Sequence, residues 1–217
     1  ISFKTENIEG TSAISFDDFK FSTKSNLEKP VLEVRFIGSL GTFHVKNLAE
    51  IFDNFKLANN NYEIILRGCK VIDSSIDAID TFNSEIHLKR MSEMNFIPLR
   101  LWGDAMNKIF GYILQMITLN NGVILIDEIE NGIHHSNQVV FWTMLFDLAK
   151  EFGVQVFATS HSAEMIQAFQ AVANSSSIKG AYFELSRHAK TNKILGIKTQ
   201  LDTLELKLNH HQNFRGE

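Results

Sequence analysis

Cysteine is nearly absent from this chain of 217 residues: Cys69 stands alone. One thiol cannot close an internal disulfide, and no pair of Cys or His residues has the spacing of a structural zinc site, so a reducing compartment such as the cytoplasm is expected. A signal-peptide pattern and an apolar run of eighteen residues are also lacking, which leaves no helical membrane span. Positive charge is in short supply. With 21 Lys and Arg against 25 Asp and Glu, the net charge is -4. That balance argues against coating nucleic acid by charge alone, although a local basic patch stays open and DNA remains a partner that charge does not indicate. Proline occurs only twice. Apolar material is plentiful: 44% of residues are hydrophobic and 21% charged, enough for one sizeable core with a small accessory lobe.

The first thirty residues alternate short strand-like pieces with polar turns, as an interior stretch of a longer protein would. Since the chain opens on Ile1, a preceding segment is expected, and a processed or trimmed chain would read the same way. VLEVRFIG (31–38) predicts a strand, and Val45 to Leu57 places apolar side chains at helical spacing. From Tyr62 to Phe82, apolar residues recur at three- and four-residue steps around Gly68, predicting two short helices. Pro98 marks a boundary, because the residue before a proline avoids the helical region. Asp104 to Thr118 reads as a helix whose apolar face carries Met106, Ile109, Phe110, Ile113, Leu114 and Ile117.

The run Val123 to Ile126 is continuously apolar, as in a strand buried on both faces of a parallel sheet, and it stops at Asp127 and Glu128. A helix is expected from about Ser136 to Phe152, with Gly153 as its C-cap. The buried strand VQVFATS then leads to His161 and a further helix through Phe169. Strand, helix, strand, helix is a βαβ arrangement with its polar residues at the carboxyl ends of the strands, where ligands sit in open α/β sheets. AYFELS and KILGIK predict an antiparallel hairpin across RHAKTN, and LDTLELKL predicts a closing helix. Polar triplets at 59–61 and 175–177 read as loops.

An acid directly after a buried strand is costly unless cations or hydrogen bonds compensate it. Two consecutive acids point differently, so one can hold Mg2+ through its water shell while the other orients an attacking water. A capped loop is the plainer explanation of such a pair, and His161 at the end of the next strand argues against it. That histidine can donate to a phosphate oxygen or to the attacking water, with Thr159, Ser160 and Ser162 fixing its position. Glu130 reads as an exposed loop acid rather than a second metal carboxylate. His134-His135 and His210-His211 read as polar surface. Phe141, Trp142, Met144 and Phe146 read as core and interface packing, and Trp102 as packing too.

VILIDE resembles a Walker B motif and FATSHS resembles a switch loop. Their separation of 33 positions (161 minus 128) is similar to that in ABC-type ATPase heads. PLRLWGDAMNKIF, LIDEIENGIHHS and VQVFATSHSAEMIQAF resemble more narrowly the AAA-15 and OLD-like group, relatives of SMC-type heads. The likeness is strongest over 97–187 and extends from about residue 60 to the closing NFRGE. It implies an α/β fold: a P-loop NTPase core of ABC type with parallel strands, a helical insert and a C-terminal antiparallel hairpin. Residues 1–96 would form a partial N-terminal lobe with the insert, and 97–217 the ATPase core. By the same resemblance, Asp127 would hold Mg2+, Glu128 would polarise water, His161 would be the switch histidine, and Asn131 to His135 would meet a mate across a dimer. LWGDA would replace the signature motif. There Gly103 and Asp104 would meet the γ-phosphate of ATP bound to another head, at a helix amino end that favours anions.

This chain departs from the group twice. Ala105 stands where the group has glycine, and GxxxxGK[ST] occurs nowhere; in GSLGTFHVK the glycines Gly38 and Gly41 are wrongly spaced and Lys46 lacks the required Gly before it. The sequence therefore carries the hydrolytic side of a site without its own phosphate cradle. The leading expectation is an ATPase working as a homodimer or paired with another head, with a nuclease or toxin effector subunit in phage defence or DNA transactions. A non-catalytic dimerising scaffold is the alternative. An OLD-like nuclease is disfavoured, because after residue 187 the only acids are Asp202, Glu205 and Glu217.

Overall fold

The computed structural model describes residues 2–5, 8–17, 20–25, 33–39, 45–58, 60–119, 121–175 and 180–209. Residues 40–44 of the GSLGTFHVK stretch, 31–32 of the strand predicted at 31–38, part of each polar triplet, His210-His211 and the closing NFRGE lie outside the described residues.

In chain order, Ser2–Thr5 (β1), Ile8–Asp17 (β2) and Lys20–Ser25 (β3) pair antiparallel. Val34–Ile37 (β4) precedes helices Val45–Phe55 (α1) and Asn61–Cys69 (α2). Ile76–Phe82 (β5), Glu85–Arg90 (β6) and Ile97–Pro98 (β7) make an antiparallel sheet. Gly103–Leu119 (α3) leads into Val123–Ile126 (β8), and Gln138–Glu151 (α4) into Gln155–Ala158 (β9). Ala163–Ser175 (α5), the hairpin of Tyr182–Arg187 (β10) with Ile194–Thr199 (β11), and Leu201–Asn209 (α6) complete the order.

One expectation fails in an instructive way. Residues 76–82 are a strand, not the second of two helices. A register shift between Ile76 and Ala78 inserts one residue into β5, so Ile76 and Ile79, three positions apart, are both buried. The bulge thus imitates helical spacing. Asn83 and Ser84, both at positive φ, make the two-residue turn to β6.

The parallel sheet has the order β4-β8-β9, with Phe36, Leu125 and Phe157 in register. On one face Ile37, Ile124 and Ile126 are buried in the main core. α3 is apolar nearly all round and runs through that core, its six predicted face residues all buried. Gly68 lets α2 cross it closely: a Cβ there would overlap Ile113 Cδ1. Arg35 of β4 reaches α3 and donates to the Gln115 carbonyl (3.1 Å) and side chain (2.8 Å). Phe141, Trp142, Met144 and Phe146 of α4 are buried, and the Trp142 indole N–H donates to the Met165 carbonyl at 3.1 Å, tying α4 to α5. Gly153, at φ +63, closes the α4 end as expected. No helix among the described residues is long and apolar enough to cross a membrane.

Candidate functional site

β8 and β9 end level with each other, Ile126 opposite Ala158. The loops that follow therefore emerge side by side, and three backbone hydrogen bonds extend the pairing beyond the strands. Asp127 N donates to the Ile37 carbonyl (2.9 Å), Thr159 N to the Ile126 carbonyl (2.9 Å), and Ile129 N to the Thr159 carbonyl (3.0 Å). Parallel pairing is what brings the 127–131 turn against the 159–162 loop.

Side chains complete the join. The Thr159 hydroxyl donates to Asp127 Oδ1 at 2.6 Å and accepts from Glu128 N at 2.9 Å. One small side chain thereby sets both acids. Glu128 itself stands at φ +49, a left-handed conformation that costs energy for a residue with a Cβ and that concentrates at functional sites. Its Oε2 accepts from Asn131 Nδ2 at 2.7 Å. The two carboxylates thus have different partners, although not through strand alternation, since both acids lie beyond β8 and Glu128 has left the extended conformation.

The 159–162 loop is held from the other direction. His161 N donates to Glu130 Oε1 at 2.7 Å, while the histidine itself is exposed. This corrects the reading of Glu130 as an exposed loop acid: the residue is partly buried, and its Oε2 is buried without a hydrogen-bond partner among the described residues. Ser162 begins α5 as its cap, accepting from Met165 N at 3.1 Å.

Gly103 and Asp104 border the same corner. Gly132 packs against the start of α3, where a Cβ would lie 3.3 Å from Asp104 Cβ, and Gly132 takes φ +79. Gly103 stands at φ +81 with open space where a Cβ would be. Lys108, one turn further along α3, donates to the Asn131 carbonyl at 2.9 Å. Burial pulls its ammonium pKa below the ordinary lysine value, against the opposing pull of Asp104, Glu128 and Glu130. Burial likewise pushes the Tyr112 phenol up to about 12, with the charge of Glu130 adding to it. The structure so gathers all six candidates, Gly103, Asp104, Asp127, Glu128, Asn131 and His161, around one corner. Sequence reasoning passed over Lys108, whose signal was its being the one cation on a largely apolar helix.

The remaining candidates fall where packing puts them. The Trp102 ring carries the Arg90 guanidinium 4.3 Å from its centroid, and its N–H donates to the Ile97 carbonyl at 3.2 Å. His134 and His135 are exposed with ring centroids 4.1 Å apart.

Among the described residues no three His, Cys, Asp or Glu side chains are grouped to hold a metal ion. Mg2+ does not require such a cage: it keeps its waters and is commonly held by one or two carboxylates together with substrate phosphates. Asp127 suits that mode, because Thr159 takes only Oδ1.

A model of the AAA ATPase domain family matches residues 43–166, more than half of the chain and the whole of this corner. The chain belongs to the AAA ATPase domain family. This ATPase domain is 30% identical over 118 residues to a Helicobacter pylori (strain ATCC 700392 / 26695) protein named ATP/GTP phosphatase. The match takes in 52% of this chain and 32% of that protein, so the chain spans about a third of its relative's length. Its fold is also that of SMC heads. The SMC head domain from Thermotoga maritima superposes with a TM-score of 0.51 at 14% identity, over 91% of this chain and 73% of that one. A chain solved in work on ATP-driven dimerization and DNA-stimulated activation of SMC ATPases aligns over 73% of this chain and 95% of its own, at 12% identity with a TM-score of 0.49. The α/β architecture with a parallel sheet and a C-terminal antiparallel hairpin agrees with the fold the sequence implied.

Proposed function

We propose that this ATPase domain supplies the hydrolytic side of an ATP site that closes between two heads. The observation that carries this reading is the stitched corner, in which Thr159 joins Asp127 and Glu128 of one loop to the loop bearing His161. In that role Asp127 holds the Mg2+ that accompanies ATP, Glu128 orients the attacking water, and His161 donates to the phosphate end. Gly103 and Asp104, at the amino end of α3, meet the nucleotide of the other head, and Asn131 lies beside the dimer contact. β9 has a single strand partner among the described residues. An edge of this kind accepts a further parallel strand, and a strand carrying the glycine-rich phosphate cradle fits there.

The name of the Helicobacter pylori relative, ATP/GTP phosphatase, supports hydrolysis. Pairing as a homodimer or with a second head, an effector nuclease or toxin subunit, DNA as a partner, phage defence, a cytoplasmic setting and the division into 1–96 and 97–217 are proposed on the family resemblance. The decisive experiment is ATP turnover by the full-length protein that carries this chain and by its Glu128→Gln variant. A fall in kcat of about 100-fold or more is expected on losing a general base; equal rates sink the role of Glu128.

A second reading, a non-catalytic scaffold, is favoured by one observation: no GxxxxGK[ST] occurs in the 217 residues. Equilibrium dialysis of the full-length protein against ATP with Mg2+ separates the two. The scaffold binds no nucleotide.

A further inference from the structure

We infer that Glu130 is a positioning residue for the switch loop, the clamp that fixes where His161 stands. Between the end of β9 and the start of α5, Thr159 is held across the sheet, whereas Ser160 and Ser162 are held locally. Thr159 is in the strand ladder through Ile126, Ser160 Oγ accepts from Ser162 N at 3.2 Å, and Ser162 caps α5. Beyond Thr159, His161 is the residue whose contact ties this loop to the acid turn. Its amide donates to Glu130 Oε1, 31 positions back, at 2.7 Å, the short end of the range for a bond to an ionised acceptor.

What Glu130 gives up marks this contact as more than a surface coincidence. A loop carboxylate with no duty turns both oxygens to water, which solvates them at no structural cost. Glu130 instead keeps Oε2 buried and, among the described residues, unpartnered. Ile129 and Ile133 on either side of it are buried, so the turn is pinned by apolar side chains and Glu130 is pointed inward. Its charge is felt by Lys108 and Tyr112 of α3. The residue thus sits where α3, the acid turn and the switch loop converge, and it makes the switch loop follow any movement of the acid turn.

The catalytic part of this inference rests on His161 serving the proposed ATP site; the clamp itself does not. Amide hydrogen exchange, read residue by residue in the full-length protein that carries this chain, tests the clamp directly. In Glu130→Ala the His161 amide is expected to exchange about tenfold faster or more, the loss of a hydrogen bond to a charged acceptor. Glu130→Asp, too short to reach, should behave like Ala, whereas Glu130→Gln keeps an acceptor and should retain part of the protection. The amides of Ile124 and Val156 serve as internal references. If they also speed up in Glu130→Ala, that variant has lost its fold and the Gln and Asp pair decides, the two differing if the clamp is real and matching if it is not. Unchanged exchange at His161 overturns the clamp. In the full-length ATPase, kcat is expected to fall about tenfold in Glu130→Ala with KM for ATP unchanged, and to recover in Glu130→Gln. Faster His161 exchange without that loss of kcat overturns the positioning role. A parent protein with no turnover overturns the ATPase reading instead, and the exchange rates alone then decide whether the clamp exists.

Discussion

The two faces of the parallel sheet make unlike demands. Towards the core, Ile37, Ile124 and Ile126 are buried and α3 packs in the same apolar cluster. On the other face Val34, Phe36 and Phe157 stand 57%, 62% and 51% exposed. Strands of parallel sheets are normally covered on both sides. One face is therefore a finished interior and the other offers apolar surface to a cover. Where the two meet, at the carboxyl ends of β8 and β9, the contacts change from apolar packing to short polar bonds among Asp127, Glu128, Glu130, Thr159 and His161. A packed face holds the strands in register, and only strands held in register can keep such a polar corner aligned.

Substitutions on the two faces should separate accordingly. The largest effect is expected from Phe110→Ala on α3, in the core that the finished face shares, where the ring is fully buried: denaturant unfolding should show a loss of about 3–5 kcal/mol. Next comes Thr159→Val, which keeps the shape but removes the hydroxyl serving Asp127 and Glu128. It should cost about 1–3 kcal/mol in the same measurement, and a cost near zero would mean that the corner is held by something else. Phe36→Gln and Phe157→Gln, on the uncovered face, should change stability by no more than about 0.5 kcal/mol. A much larger loss would show that face to be covered within this chain and would break the contrast.

The smallest effect concerns pH. The Ser75 hydroxyl and then Arg90 hold the Asp73 carboxyl below the ordinary aspartate value. A depressed carboxyl stabilises the fold above its unfolded pKa, and that contribution disappears as pH falls through the folded pKa. Unfolding followed from about pH 5 downward should therefore show a shallower acid loss in Asp73→Asn than in the parent chain.

The strands β8 and β9 and the helix between them were legible in the sequence, because the continuous apolar run Val123 to Ile126 ending at two acids, and a second short, largely apolar segment leading to a histidine, are strong local patterns. β5 was not, since its bulge put Ile76 and Ile79 on one face at a spacing that mimics a helix. Asp127, Glu128 and His161 were legible as candidates from residue type and order. The place of Glu130 was not legible, for a physical reason: whether a loop carboxylate is solvated depends on what lies across from it, and the amide that it meets belongs to a residue 31 positions away.

By itself, then, the amino-acid sequence determined which segments form β8 and β9 and which polar residues end them, because periodicity and residue type act over a few neighbouring positions; that β9 lies mostly exposed instead of buried was decided by the tertiary structure. Only the tertiary structure decided that Ile126 lies opposite Ala158. That single register sets Thr159 between the two acids and brings Glu130 to the amide of His161, since contacts between distant residues are fixed by strand pairing and by the packed face beneath it.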